Sequence, residues 1–339
     1  MTTPIMFDPT PQVTDLFELH WGRLATGERV LRKVARNAEG HRLVHAEVNA
    51  GNLLAALPTY PSQLCQVIEH ELNGPQTYVT TTYRGVPVEG QPTAPLPETA
   101  LTVFGDLLVA IHTLAKAGLT HSAILPGFVL WDGEHAQLVN LGQAVAIGEP
   151  ARTALDPLWQ PPPGPGGLRL ATQAHDVYQA GLVLYCIATL RGPADAATLR
   201  AELARGGTAL SALLDGVFAD DPRDRPDPHQ LLRRVEDARL DPAWRGGGEA
   251  HIPHQFVPPP PPDSPARLEF RQKIAAKREY RRRRAEPAAV AWRFARDLFD
   301  ILWYRQDSPY SRGAVVAVAA LVVGLPLLLV FLAFRQLKG

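Results

Sequence analysis

Cysteine is scarce in this sequence: two residues in 339, Cys65 and Cys186, in dissimilar contexts. There is no C-x-x-C and no cysteine–histidine group at zinc-ligand spacing. Neither a disulfide framework nor a structural zinc site is expected, and no metal is assigned. A reducing compartment suits such a chain. Net charge is absent too, since 34 Lys and Arg balance 34 Asp and Glu. A neutral chain has no global field that draws nucleic acid, so nucleic acid is not expected as a partner. The first residues, Met1-Thr2-Thr3-Pro4, have neither a basic n-region nor an apolar h-region and do not read as a signal peptide. No G-x-G-x-x-G stands near the N-terminus, so a glycine-rich cradle for phosphates is lacking there. No serine has a His and an Asp spaced for a hydrolase triad, and Ser122 is merely the chain neighbour of His121. No internal repeat is present.

What the chain does have is an apolar fraction of 46%, enough for a core, and 32 prolines whose uneven spread marks its joints. Residues 1–241 read as one α+β domain. Leu16–Arg23 and Arg29–Ala35 are expected as strands joined by a turn at Thr26-Gly27-Glu28. A helix is expected over His45–Leu57 and a strand over Gln76–Tyr83, which is rich in Thr, Tyr and Val. Over Thr99–Ala117 the spacing predicts an amphipathic helix, with Leu101, Phe104, Leu107, Leu108, Ile111 and Leu114 on one face. Phe128–Trp131 and Gln137–Asn140 form a strand pair around Asp132-Gly133. Asp176–Leu190 reads as a buried helix, and Leu210–Phe218 and His229–Ala238 as closing helices.

The remainder has a different character. Residues 242–265 are proline-rich, and Pro258–Pro262 favour an extended polyproline form, read as a stiff spacer. Residues 266–285 are basic and include Arg281, Arg282, Arg283 and Arg284. Residues 286–306 read as an amphipathic helix with Trp292, Ala295, Phe299 and Leu302 on one face and Trp303 at its margin. Residues 313–334 carry no charge, and a run of roughly 20 apolar residues spans a hydrocarbon core. Residues 335–339 form a short tail. The four arginines have three readings: nucleic-acid binding, a solvated helix, and attraction to anionic lipid headgroups. The third is favoured because a membrane span follows, with Trp292 and Trp303 at headgroup depth. Arg293, Arg296, Arg305 and Arg312 precede the span closely, and only Arg335 and Lys338 follow it. The positive-inside rule then places the N-terminal domain in the cytoplasm of a single-pass protein of the cell membrane.

Several segments in order resemble landmarks of the eukaryotic-type protein kinase family. Thr26 to Lys33 is similar to the turn and strand carrying the V-A-I-K lysine, and Glu47 follows where its ion-pair partner would be. His121-Ser122-Ala123-Ile124-Leu125-Pro126-Gly127-Phe128 stands in place of H-R-D-L-x-x-x-N. Val139-Asn140-Leu141-Gly142 stands in place of D-F-G, and Leu158 to Pro163 in place of the A-P-E segment. Asp176 to Gly181 is close to the family's D-V-[YW]-S-x-G helix, and Ala219 to Pro226 resembles its D-P-x-x-R-P signature. The resemblance covers about two thirds of the chain. It implies an α+β, two-lobed fold with a small β-rich N-lobe and a larger helical C-lobe, here followed by one C-terminal transmembrane helix.

The departures carry the functional reading. Ala123 replaces the catalytic base, Phe128 a magnesium-binding Asn, and Asn140 the magnesium-binding Asp. Neither Ala nor Phe accepts a proton or binds a metal, and a neutral amide is a poor magnesium ligand. The resemblance therefore implies a pseudokinase, a membrane-tethered binding or scaffolding module with a protein partner. An atypical protein kinase using Lys33, and a nucleotide sensor without catalysis, stay open beside it. The cofactor it points to is ATP, held by Lys33 and Glu47 without dependence on magnesium. The plainer alternative for that pair is a solvated strand lysine and helix glutamate, and Arg32 beside Lys33 would suit a basic strand edge. Asp176 is expected to brace the loop by accepting from amides near His121 and Ser122. His121 is expected to pack in the loop core. Arg225 lacks the A-P-E glutamate, since that position is Pro163, and needs another partner or water.

Overall fold

The structure is a computed structural model that describes residues 4–90, 95–151, 157–163, 169–241 and 244. All of these fall within the unit Met1–Pro258. The proline-rich, basic, amphipathic and apolar segments of residues 242–339 lie outside the described residues, apart from residue 244.

The N-terminal part is an antiparallel sheet. Its strands are β1 (Ile5–Phe7), β2 (Gln12–Val13), β3 (Phe17–Leu24), β4 (Arg29–Ala35), β5 (Val67–Glu71) and β6 (Tyr78–Thr82), in the order β1-β3-β4-β6-β5, with β2 also on β3. The β3–β4 turn closes at Gly27, whose φ of 87° favours glycine. β4 is the central strand, not an edge, and its faces differ. Arg32 turns to one side, where it bonds Glu69 and Thr80. Lys33 turns to the other, where α1 (Ala38–Ala55) packs. α1 begins where the Asn37 side chain accepts from the Gly40 amide, so it starts seven residues before the expected His45. Val44 and Val48 of α1 pack with Val79 of β6.

The rest is mainly helical. It contains α2 (Pro97–Lys116), α3 (Gln173–Thr189), α4 (Ala196–Gly206), α5 (Ala209–Leu213) and α6 (Pro228–Leu240). Among them run β7 (Val86–Pro87), β8 (Leu119–Thr120), β9 (Val129–Trp131), β10 (Ala136–Leu138) and β11 (Val145–Ala146). The six expected apolar residues of α2 are each no more than 1% exposed. Among the described residues α2 is the one helix long and apolar enough to cross a membrane, but it is mostly buried and serves as the core helix. It packs against α3 and α6, and Tyr178 of α3 meets Phe218 edge to face at 5.3 Å.

Several short or weakly apolar elements escape the periodicity reading. β1 has three residues and β5 five, with an irregular register, too short for a clear alternation. α4 is built from small and charged residues with only Ala196 and Leu199 buried. α5 ends at Leu213 instead of Phe218, and the chain then turns at Gly216 with φ 75°.

Candidate functional site

The site forms where β4, α1 and the segments after β8 and β10 converge. Lys33 and Glu47 are 6% and 1% exposed, and they pair through Lys33 Nζ and Glu47 Oε2. Lys33 Nζ also donates to Asn140 Oδ1 at 3.1 Å, across 107 residues of chain. The lysine is thus neither solvated nor at a sheet edge: its charge faces one carboxylate and one amide oxygen. Asn140 has a left-handed backbone, φ 72°, which Asn tolerates better than most residues. Immediately beyond it, a Cβ on Gly142 would stand 2.8 Å from the Leu43 carbonyl of α1, so glycine permits this close approach. Glu47 Oε1 is buried without a hydrogen bond.

The segment His121–Phe128 is braced from α3. Asp176 accepts from the amides of His121 at 2.7 Å and Ser122 at 2.8 Å, as its position in the sequence implied. Ser122 is held at φ 61°. Burial pushes the Asp176 carboxyl up to about 7, against the pull of those two amides. His121 is fully buried, with Nε2 3.1 Å from the Val139 carbonyl, and burial pushes it down to about 4. A neutral, enclosed imidazole of this kind is a packing group. Ala123 is 1% exposed, and Phe128 closes a 3-10 turn, Pro126–Phe128, against the core. Asp132 accepts from the amides of Glu134 and His135, forming the β9–β10 turn. Among the described residues no group of three His, Cys, Asp or Glu could hold a metal ion.

Arg225 solves its missing carboxylate with carbonyls. It is 7% exposed and donates to Ala219 at 2.9 Å, Ala174 at 3.1 Å and Asp220 at 3.3 Å, over the Tyr178 ring. Burial pushes it down to about 10. The membrane-surface candidates Arg281 to Arg284, Trp292 and Trp303 lie outside the described residues.

Sequence reasoning missed three side chains. Gln179 is fully buried and bonds the Ile124 amide at 2.9 Å and the Trp159 carbonyl at 3.1 Å, extending the brace begun by Asp176. Its one trace in the sequence is an amide three residues after Asp176, at the head of the apolar run of residues 180–188. Gln137 is buried and accepts from the Arg84 amide at 2.8 Å, just past β6. The Cys65 thiol, beside the Asn140 and Leu141 amides, is pushed up to about 12 by burial, which favours the thiol over the thiolate. Beside Lys33, the same face of the sheet carries Leu31, with Trp21 opposite it in register. Trp21 meets Tyr83 edge to face at 4.8 Å, and Arg29 lies over Trp21 at 5.2 Å.

The constellation holds a buried cation and a braced loop, with Ala123 and Phe128 supplying no acid, base or metal-binding group. No family model and no curated protein matches this chain.

Proposed function

We propose that this chain is a kinase-shaped module that transfers no phosphate and works by binding a protein partner, tethered at a membrane through residues 313–334. The sheet with α1 is its small lobe, and the helices from α2 onward its larger one. The observation that carries the reading is the pair of side chains at two positions: Ala123 and Phe128 offer neither base nor metal ligand, and the nearby Asn140 spends its amide oxygen on the Lys33 ammonium. Phosphoryl transfer needs charge neutralisation by metal and a positioned base, and single contacts of this kind are worth several kcal/mol. Losing them together leaves a scaffold. The ring pair of Trp21 and Tyr83 and the adjacent Leu31 share the sheet face with Lys33 and give it an apolar flank.

The deciding experiment incubates detergent-purified full chain with labelled ATP, magnesium and a general protein substrate. No label is expected above background. Transfer that disappears in Lys33→Ala would replace the proposal with an atypical kinase. The preserved Lys33–Glu47 pair favours one second reading, a nucleotide sensor. A thermal shift with ATP separates it, since ligand at 100 times Kd adds about 2.7 kcal/mol. No shift at millimolar ATP is expected, with or without magnesium.

A further inference from the structure

A second cluster of polar side chains stands away from Lys33, at the start of α3. The N-cap Thr172 makes no side-chain capping bond to this 17-residue helix; only its carbonyl is used, accepting from the His175 amide at 2.9 Å. His175, in the first turn, is 2% exposed, and its Nε2 has no partner. Arg169, three residues before the cap, has a buried Nε that is also without a partner. Arg225 reaches the same turn through the Ala174 carbonyl, and both guanidinium charges act on His175.

Among the described residues no carboxylate bonds to Arg169, His175 or Arg225. Asp220 and Asp221 feel the Arg225 charge. They are committed elsewhere, Asp220 to Arg200 at 2.8 and 2.9 Å and Asp221 to Arg223 at 3.0 Å. Asp176, the acidic residue of the first turn, is committed to the His121 and Ser122 amides. Among the described residues, two guanidinium groups, an imidazole and a helix N-terminus thus stand together with no carboxylate bonded to them. Buried donors left unmade are costly, and an anion satisfies helix amides and guanidinium together.

We propose that the start of α3, with Arg169 and His175 as donors and Arg225 as a supporting charge, is a binding site for a phosphate-type oxyanion. The donors belong to a loop arginine, a helix imidazole and first-turn amides, which suits several acceptor oxygens on one centre better than a planar carboxylate. Two nearby guanidinium charges suit a dianion. Burial and the two arginines push His175 down to about 4, so at neutral pH it is uncharged; the proposed site uses the tautomer with the proton on Nε2, the ring nitrogen that has no partner. This site is independent of the Lys33 reading and stands whether or not the chain transfers phosphate.

The test titrates the full chain in detergent with inorganic phosphate, sulfate or acetate at fixed ionic strength, following thermal unfolding and heat of binding. Phosphate and sulfate are expected to raise Tm saturably, and acetate not. Arg169→Gln should weaken phosphate by at least about tenfold, a loss near 1.4 kcal/mol, with Arg169→Lys recovering part of it. If Arg169→Gln does not fold, His175→Gln should show a similar loss. An O-phosphoserine arm names the source: tighter binding than free phosphate means an ester, weaker binding a free ion, and either supports the site. The proposal is overturned by an unsaturable phosphate response, by equal affinity in wild type and variants, or by acetate binding as well as phosphate.

Discussion

Lys33 and Asp176 make the same physical point in opposite ways. Each is a charged group in a buried place, and each persists because specific partners meet it. Lys33→Met would strand Glu47, 1% exposed, without a counter-charge. Breaking one side of such a pair costs about 3–5 kcal/mol, whereas replacing both partners by apolar groups is close to neutral. Urea unfolding of Lys33→Met should show that loss, and the double variant Lys33→Met/Glu47→Leu should recover most of it. Equal losses in the two variants would mean that the pair itself, not the stranded carboxylate, sets the cost. Asp176 makes a pH prediction. Its folded pKa is raised from 3.8 to about 7, so the folded state binds more protons in that window and stability falls as pH rises through it. His121 and His175 are lowered from 6.5 to about 4, so they bind fewer protons when folded and stability rises with pH over their window. The contributions oppose, each at most about 1.4 kcal/mol per pH unit. In Asp176→Asn the rise between pH 4 and 6.5 should be steeper than in wild type. Parallel curves would show that Asp176 titrates at its ordinary value. Of these groups, Lys33, Glu47, His121 and Asp176 were legible as residue types in order along the chain. Gln179 and Gln137 were not, because a buried amide leaves no periodic trace.

Elements are positioned by close approaches as much as by apolar faces. Gly181 of α3 is a clear case: a Cβ there would stand 2.4 Å from Val217 Cγ1 and 3.4 Å from the Phe218 ring. Gly181→Ala removes some helix entropy cost, which favours it by under about 1 kcal/mol, but forces α3 off its neighbours. Overpacking of this size costs about 1–3 kcal/mol, so net destabilisation is expected in thermal melts. A stabilised variant would mean that Val217 yields freely. Helix α3 was expected from its apolar run, yet its glycine could not be assigned a neighbour from the run itself. The N-terminal start of α1 was misplaced for a different reason. Its first turn holds Glu39, His41 and Arg42 and only Gly40 buried, so the cap at Asn37 precedes any apolar spacing.

For the whole molecule, the domain and its tether make separable claims. If residues 313–334 anchor the chain, full-length protein should resist carbonate extraction from membranes. A chain ending at residue 311 should move to the soluble fraction with an unchanged melting profile. Full-length protein released by carbonate would remove the anchor from the proposal. Unchanged melting is expected because the described core, centred on α2, α3 and α6, lies within residues 4–244, all of which the shorter chain keeps. The α+β character and the order of sheet before helices were readable from alternating and 3.6-residue patterns. The strand order was not, since β1, β2 and β5 are too short to declare their neighbours.

The sequence by itself determined which chemistry is unavailable at the named positions. Ala123 and Phe128 lack acid, base and metal-binding groups in any fold, because that is a property of the side chain. It also determined where most helices and long strands run, since local spacing decides which face is apolar. Only the tertiary structure decided who meets whom: Lys33 with Glu47 and Asn140, Asp176 with the His121 and Ser122 amides, Arg225 with three carbonyls. Those meetings depend on sheet register and helix packing across many tens of residues, and a carboxylate or cation is stable inside a protein only where that packing brings it a partner.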